Sequence, residues 1–146
     1  MATTTHADHR VASQLLRRPT WTKGLGSWLT TVDHKRLGIL YILTSFTFMG
    51  AASIEAFIMR LQLMRPGQQL VSPDTFNQLF TMHGVTMVFL AIMPLAIGFA
   101  NYFVPLQIGA RDLAFPRLNS FGYWVYAMGG LMIYTSFFLG GAPDIG

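Results

Sequence analysis

Three long apolar stretches, separated by polar segments, dominate the pattern of the chain. They cover residues 37–59, 80–104 and 121–139, so each contains 19 to 25 residues. An α-helix rises about 1.5 Å per residue, and about 20 residues therefore cross the hydrocarbon core of a bilayer. The pattern predicts an all-α membrane protein with three transmembrane helices.

The polar segments carry the signals of turns and of a separate N-terminal region. Residues 60–79 contain MRPG and SPDTF, and residues 105–120 contain two prolines and a glycine, all of which favour turns. Residues 1–30 lack the apolar core of a secretory signal peptide, and we interpret them as an N-terminal extension. The predicted organisation is an extension at 1–30 followed by a helical region at 31–146.

Basic residues are unevenly distributed along the chain. Six of the ten precede the first apolar stretch, two lie in residues 60–79 and two lie in residues 105–120. Basic residues favour the cytoplasmic side of a membrane, and a cytoplasmic N-terminus places eight of them inside. The pattern predicts that the N-terminus and the segment with Asp112 are cytoplasmic. It also accounts for the net charge of +4 without a nucleic-acid partner.

The composition agrees with a lipid bilayer as the environment. The chain is 52% hydrophobic and 11% charged, whereas soluble domains contain about 25% charged residues. It has no cysteine, which excludes disulfides, Cys-ligated zinc or iron–sulfur centres, and a C-x-x-C-H haem attachment.

The second apolar stretch contains two polar groups, His83 near its start and Asn101 near its end. An ionisable residue in a membrane helix is costly and by default marks a functional site. From the residues alone, His83 either bonds a neighbouring helix or ligates haem iron. Eighteen residues make five α-helical turns, which predicts that both side chains share one face about 27 Å apart. Pro94 lies between them, and the carbonyl that it frees needs another partner.

Four further polar residues have both a structural and a functional interpretation. Arg60 either extends toward the membrane interface or donates to a cofactor substituent. Glu55 is either an inward-facing carboxylate or a neighbour of Arg60 near the surface. Asp112 is either solvated in its loop or, together with Asn101 and Asn119, part of a proton entry.

Several motifs resemble subunit I of the haem–copper oxidases. They are DHKRLGILY at 33–41, FTMHG at 80–84, VPLQIGARDLAFPRLN at 104–119 and GGAPD at 140–144. The resemblance covers most of the chain and is closest to bacterial cytochrome c oxidases of the aa3 or caa3 type. It implies that residues 31–146 form the first three helices of a bundle of roughly twelve.

The resemblance also assigns roles to five residues. His83 corresponds to an axial ligand of the low-spin haem iron, and Arg60 to the donor that contacts a peripheral group of that haem, the formyl in haem a. Asp112 corresponds to the entrance of a proton channel, and Asn101 and Asn119 to asparagines that hold water above it. The second axial histidine and the ligands of haem a3 and CuB correspond to later helices, so residues 1–146 alone are not expected to be catalytically competent.

The whole enzyme implied by the resemblance is a proton-pumping terminal oxidase of the respiratory chain. It passes electrons from cytochrome c to O2 and forms water in the bacterial inner (plasma) membrane. Its partners are the remainder of subunit I, oxidase subunits II and III, cytochrome c and the lipid bilayer.

Other functions are distinguished by particular positions. Quinol oxidases of the same family carry an arginine and a histidine where this chain has Ala51 and Thr75, although Glu55 and Gln78 match them. Nitric oxide reductases keep the haem histidine but typically lack the motif around Asp112.

Two interpretations lie outside these oxidases. The first is a small non-enzymatic membrane subunit in which His83 only forms a hydrogen bond. The second is a b-haem anchor, which normally needs a second histidine within the membrane, whereas the other three histidines lie outside the apolar stretches: His6, His9 and His34.

Overall fold

The computed structural model describes residues 24–143, and this part contains helices and no strand. In chain order the elements are α1 (Leu25–Leu29), α2 (His34–Gln62), α3 (Pro73–Val85), a π-helical segment (Thr86–Ile92), α4 (Met93–Gln107) and α5 (Pro116–Phe138). The chain divides into two compact units, Met1–Thr31, which includes α1, and Val32–Gly146. Most of the predicted extension at 1–30, and Asp144 of the GGAPD motif, lie outside the described residues.

Two helical stretches are long and apolar enough to cross a membrane, namely His34–Gln62 and Pro73–Gln107. The predicted all-helical architecture is therefore confirmed for the described residues. The third apolar stretch is also helical, as α5. The helices α2 and α3 begin before the apolar stretches, where polar side chains cap their N-termini. The Asp33 carboxylate accepts from the Lys35 N–H at 3.0 Å before α2, and such caps satisfy free helix-end donors.

The connection between α2 and α3 is shorter than the turn-rich segment 60–79, since α2 continues to Gln62 and α3 starts at Pro73. The Gln62 side chain organises this loop. Its amide nitrogen donates to the Gln68 carbonyl at 2.6 Å, and its carbonyl oxygen accepts from the backbone N–H groups of Leu70 and Val71. One glutamine amide thus replaces the regular hydrogen bonds that the loop backbone lacks.

The helices α2 and α4 cross closely where each has a glycine. A Cβ atom on Gly38 would lie 2.9 Å from the Gly98 carbonyl oxygen, and one on Gly98 would lie 3.0 Å from the Gly38 carbonyl oxygen. Small residues at a helix crossing let two backbones approach, which is a common packing mode in membranes. Nearly one turn after Gly38, Tyr41 packs against Tyr123 and Tyr126 of α5, with ring centroids 5.1 and 5.6 Å apart.

A π-helical segment separates α3 from α4, so the prediction of an uninterrupted α-helical phase from His83 to Asn101 is wrong. Pro94 explains the departure. Proline has no N–H, and its ring clashes with the carbonyl four residues earlier, here that of Leu90. The backbone widens instead, and the Met93 N–H donates to the Val88 carbonyl five residues earlier. One extra residue turns the following residues by about 100° relative to α-helical phase.

The Leu90 carbonyl, which lacks an α-helical donor because Pro94 has no N–H, accepts a hydrogen bond from another helix. The Tyr126 hydroxyl donates to the Leu90 carbonyl oxygen at 2.8 Å. This prediction is therefore confirmed, and the donor belongs to α5. An unsatisfied carbonyl would be costly in lipid, so the proline and the tyrosine act as a pair.

Candidate functional site

The His83 imidazole faces α2 and is held in one tautomer. Its Nδ1 lies 2.9 Å from the Ala52 carbonyl oxygen. A carbonyl only accepts, so Nδ1 carries a proton, and in the neutral ring Nε2 keeps its lone pair. Metal-binding histidines commonly donate their other ring N–H to a backbone carbonyl in this way. The donor set therefore fits an axial haem ligand.

A buried polar cluster lies beside His83. It consists of Glu55 of α2, Thr86 at the start of the π-helical segment and Tyr134 of α5. The Tyr134 hydroxyl donates to the Thr86 hydroxyl oxygen at 3.1 Å. The Glu55 carboxyl lies near Tyr134 and His83, and its Oε2 has no hydrogen-bond partner within the described residues. Glu55 is 7% exposed, which decides between its two interpretations, because the carboxylate points inward.

Arg60 occupies the last turn of α2, one end of the helix that contacts His83. Its side chain is exposed, and within residues 24–143 it forms no ion pair with a carboxylate. Glu55, five positions earlier, is buried, so these two side chains lie in different environments. The guanidinium is available to a group outside the described residues.

The two predicted asparagines meet at the other end of the long helix. The Asn101 side-chain amide nitrogen donates to the side-chain oxygen Oδ1 of Asn119 at 3.1 Å. Asn101 is 8% exposed and lies in α4, whereas Asn119 lies in the first turn of α5. This contact joins two residues that the sequence analysis placed in one proton entry.

Asp112 lies in the loop between α4 and α5. Gly109 ends α4 with φ +68°, a conformation that glycine adopts without a Cβ clash. The Asp112 carboxylate then accepts from the Leu113 N–H at 2.9 Å. It also lies 3.4 Å from Nδ1 of His34, within the range of an ion pair when that imidazole is protonated.

His34 was not predicted as a site residue. It starts α2, is 5% exposed, and neither ring nitrogen has a hydrogen-bond partner within the described residues. The signals in the sequence were its position just before the first apolar stretch and its place in the motif DHKRLGILY at 33–41. Its contact with Asp112 depends on packing between segments 78 residues apart.

The predicted site residues thus form two groups along the chain. His83 contacts α2 near the cluster of Glu55, Thr86 and Tyr134. Asn101 contacts Asn119, while Asp112 contacts His34. His83 bonds α2, whereas Asn101 bonds α5.

A protein-family model described as "Cytochrome C and Quinol oxidase polypeptide I" matches residues 36–146. The chain belongs to this family. The resemblance to subunit I of the haem–copper oxidases is therefore confirmed. The family consists of membrane-protein subunits I of haem–copper oxidases.

Curated relatives from several bacteria support the family membership. The chain is 50% identical over 119 residues to cytochrome c oxidase subunit 1 of Alkalihalophilus pseudofirmus, covering 82% of this chain and 19% of the relative. It is 52% identical over 127 residues to the protein of the same name from Corynebacterium glutamicum, covering 85% and 22%. The match to the Bacillus subtilis protein is 49% over 127 residues, covering 86% and 20%. The chain spans about a fifth of the length of these relatives.

Proposed function

We propose that this chain contributes to the catalytic subunit of a proton-pumping terminal respiratory oxidase, in which it binds a low-spin haem and forms a proton-channel entrance. The complete enzyme would transfer electrons from cytochrome c to O2 and form water. The observation that carries the proposal is the His83 imidazole, whose Nδ1–H is committed to the Ala52 carbonyl while Nε2 is left to bind iron.

The residues on the His83 side would hold the haem. His83 would be one axial ligand, and the exposed Arg60 would donate to a peripheral group, the formyl if the haem is haem a. When bound, this haem supplies reversible one-electron transfer. The Ala52 carbonyl orients the imidazole and raises the basicity of its free nitrogen. The second axial ligand, haem a3 and CuB would be held by the remainder of subunit I.

The residues on the Asp112 side would receive protons. Asp112 is partly accessible, with a side-chain exposure of 16%, so it can exchange protons with water. His34 adds a second titratable group 3.4 Å away. The side-chain amides of Asn101 and Asn119 form one hydrogen bond with each other and retain further donors and acceptors that can order water. A carboxylate followed by amides is a suitable entrance for protons that continue inward.

The membrane arrangement follows from the same helices. We infer three transmembrane helices with the N-terminus cytoplasmic, in the bacterial inner membrane. Several large apolar side chains of α5 are exposed, including Phe121 at 63%, Leu131 at 55% and Met132 at 69%. Such a surface suits lipid or further helices, which supports α5 as the third span. The partners would be the remainder of subunit I and subunits II and III.

Cytochrome c is the proposed electron donor. The relatives reported above are named cytochrome c oxidases, although the family name also includes quinol oxidases. At the positions that bind quinone in the quinol branch, Ala51 offers no donor. The Thr75 hydroxyl lies 2.8 Å from the hydroxyl of Ser72, the N-cap of α3, and hydrogen-bonds to it. A quinol oxidase remains the second candidate because Glu55 and Gln78 are present.

An optical spectrum tests the proposal. The complete oxidase that contains this chain is compared with its His83→Ala variant in reduced-minus-oxidised spectra, followed by haem extraction. His34→Ala is the matched control, because His34 lies on the proton side. We expect His83→Ala to lose the low-spin component of a haem a spectrum and His34→Ala to keep it.

Each other result has a definite meaning. A low-spin component that persists in His83→Ala would refute haem ligation and favour a structural histidine. Loss of a haem b or haem o signal would keep the ligand but move the proposal to the quinol branch.

A further inference from the structure

Two tyrosine hydroxyls of α5 hold the π-helical segment. Tyr134 donates to the Thr86 side chain at 3.1 Å, and Tyr126 donates to the Leu90 carbonyl at 2.8 Å. Thr86 is fully buried and Leu90 is 5% exposed. The two contacts are four residues apart, so they fix the segment at its start and near its end.

The ring of Phe48 also packs against both tyrosines. Phe48 of α2 lies over Gly130, which is four residues from each tyrosine, and a Cβ atom on Gly130 would come within 2.5 Å of the Phe48 ring. The Phe48 ring is 6.0 Å from the Tyr126 ring and 5.7 Å from the Tyr134 ring. The notch at Gly130 thus lets one phenylalanine contact both rings and limits their rotation.

The contact at Thr86 reaches His83 through the backbone. The Thr86 N–H donates to the carbonyl oxygens of His83 and Met82, and the His83 ring in turn donates to Ala52 of α2. Three hydrogen bonds, joined through the covalent structure of Thr86 and His83, therefore link Tyr134 to the Ala52 carbonyl. A shift of Thr86 would change the backbone that carries the imidazole, and with it the plane of the ring.

We propose that Tyr126 and Tyr134 are positioning residues that hold the π-helical segment and, through Thr86, the orientation of the His83 imidazole. The inference rests on the proposed role of His83 as a haem ligand. It adds that the ligand geometry is set from α5 as well as from α2. Without the two hydroxyls, the π-helical segment would lose its hydrogen bonds to α5 at Thr86 and at Leu90.

The test uses Tyr134→Phe and Tyr126→Phe in the complete oxidase, with Tyr123→Phe as the matched control. Tyr123 is also in α5, and its hydroxyl lies 2.9 Å from the Thr44 hydroxyl of α2. The readouts are the electron paramagnetic resonance g values and the midpoint potential of the low-spin haem, which respond to the imidazole plane and ligand field. We expect both quantities to shift in Tyr134→Phe and Tyr126→Phe and to stay at parental values in Tyr123→Phe.

Thr86 provides a second pair of variants if a tyrosine variant does not assemble. Thr86→Val removes the hydroxyl that Tyr134 contacts, and Thr86→Ser keeps it. We expect a shift in Thr86→Val and a parental signal in Thr86→Ser. Parental signals in both Thr86→Val and Thr86→Ser would overturn the proposal. A shift in Tyr123→Phe as large as that in Tyr134→Phe would also overturn it.

The His83→Ala variant separates this inference from the function on which it rests. A low-spin haem that survives His83→Ala refutes the proposed ligand and the positioning role together. A haem that is lost in His83→Ala but is unchanged in every tyrosine and threonine variant leaves the ligand in place and refutes only the positioning role.

Discussion

The crossing of α2 and α4 gives the sharpest stability prediction. Gly38→Ala would place a methyl group 2.9 Å from the Gly98 carbonyl oxygen and 3.1 Å from the Tyr102 Cβ atom. Both obstacles are close to the helix backbone, so no rotamer change relieves them. The two helices would have to separate by a few tenths of an ångström. Gly50→Ala is the matched control in the same helix, because nothing lies within 4 Å of its added methyl group.

The expected magnitude combines two opposing effects. Overpacking typically costs about 1–3 kcal/mol, and a backbone obstacle places Gly38→Ala near the upper end. Alanine improves helix propensity over glycine by about 1 kcal/mol at either position. Gly38→Ala should therefore destabilise by about 2 kcal/mol, and Gly50→Ala should stabilise slightly. The difference between the variants, about 3 kcal/mol, isolates the crossing.

The assay is denaturation of the purified complex in mixed micelles by added sodium dodecyl sulfate, followed by tryptophan fluorescence. The transition midpoint should fall for Gly38→Ala and should not fall for Gly50→Ala. Equal midpoints for the two variants would contradict the reasoning, because the only relevant difference between the sites is the approach of α4.

Two further predictions concern the proposed sites. Asp112→Asn should slow proton uptake and turnover at least about tenfold, equivalent to about 1.4 kcal/mol, because an amide cannot relay a proton. The haem spectrum of Asp112→Asn should be parental. The control variant Asp74→Asn, in the first turn of α3, should turn over normally. Unchanged pumping in Asp112→Asn would contradict the role of Asp112 as the proton-channel entrance. Arg60→Ala should shift the low-spin haem absorption by removing a donor at the haem edge. Arg65→Ala should leave the band in place, and an unshifted band in Arg60→Ala would count against the contact.

The helical architecture could be predicted because apolar length alone determines it. The run at 37–59 has few polar residues, and a helix there satisfies its own backbone in lipid. The requirement for a partner to the carbonyl freed by Pro94 was also local, since the missing N–H is a property of proline. The identity of that partner was not, because Tyr126 follows Leu90 by 36 residues and only packing brings them together.

The candidate site was predictable where a residue was chemically unusual in its environment. His83 and Asn101 were such residues in an apolar stretch. His34 was missed because a histidine at the polar start of a helix is ordinary, and its contact with Asp112 depends on how two segments meet. The shared face of His83 and Asn101 was predicted wrongly, because a periodicity of 3.6 residues assumes an unbroken hydrogen-bond ladder.

The change of helical phase at the π-helical segment has a functional consequence. The helical stretch Pro73–Gln107 carries His83 toward one end and Asn101 toward the other. With α-helical phase throughout, both would face the same neighbour, and a displacement of that neighbour would disturb both sites. The extra residue near Pro94 turns Asn101 to α5 while His83 bonds α2. The direct partners of the two side chains thus differ, Asn119 for Asn101 and the Ala52 carbonyl for His83, so substitution of Asn119 should leave the His83 contact unchanged.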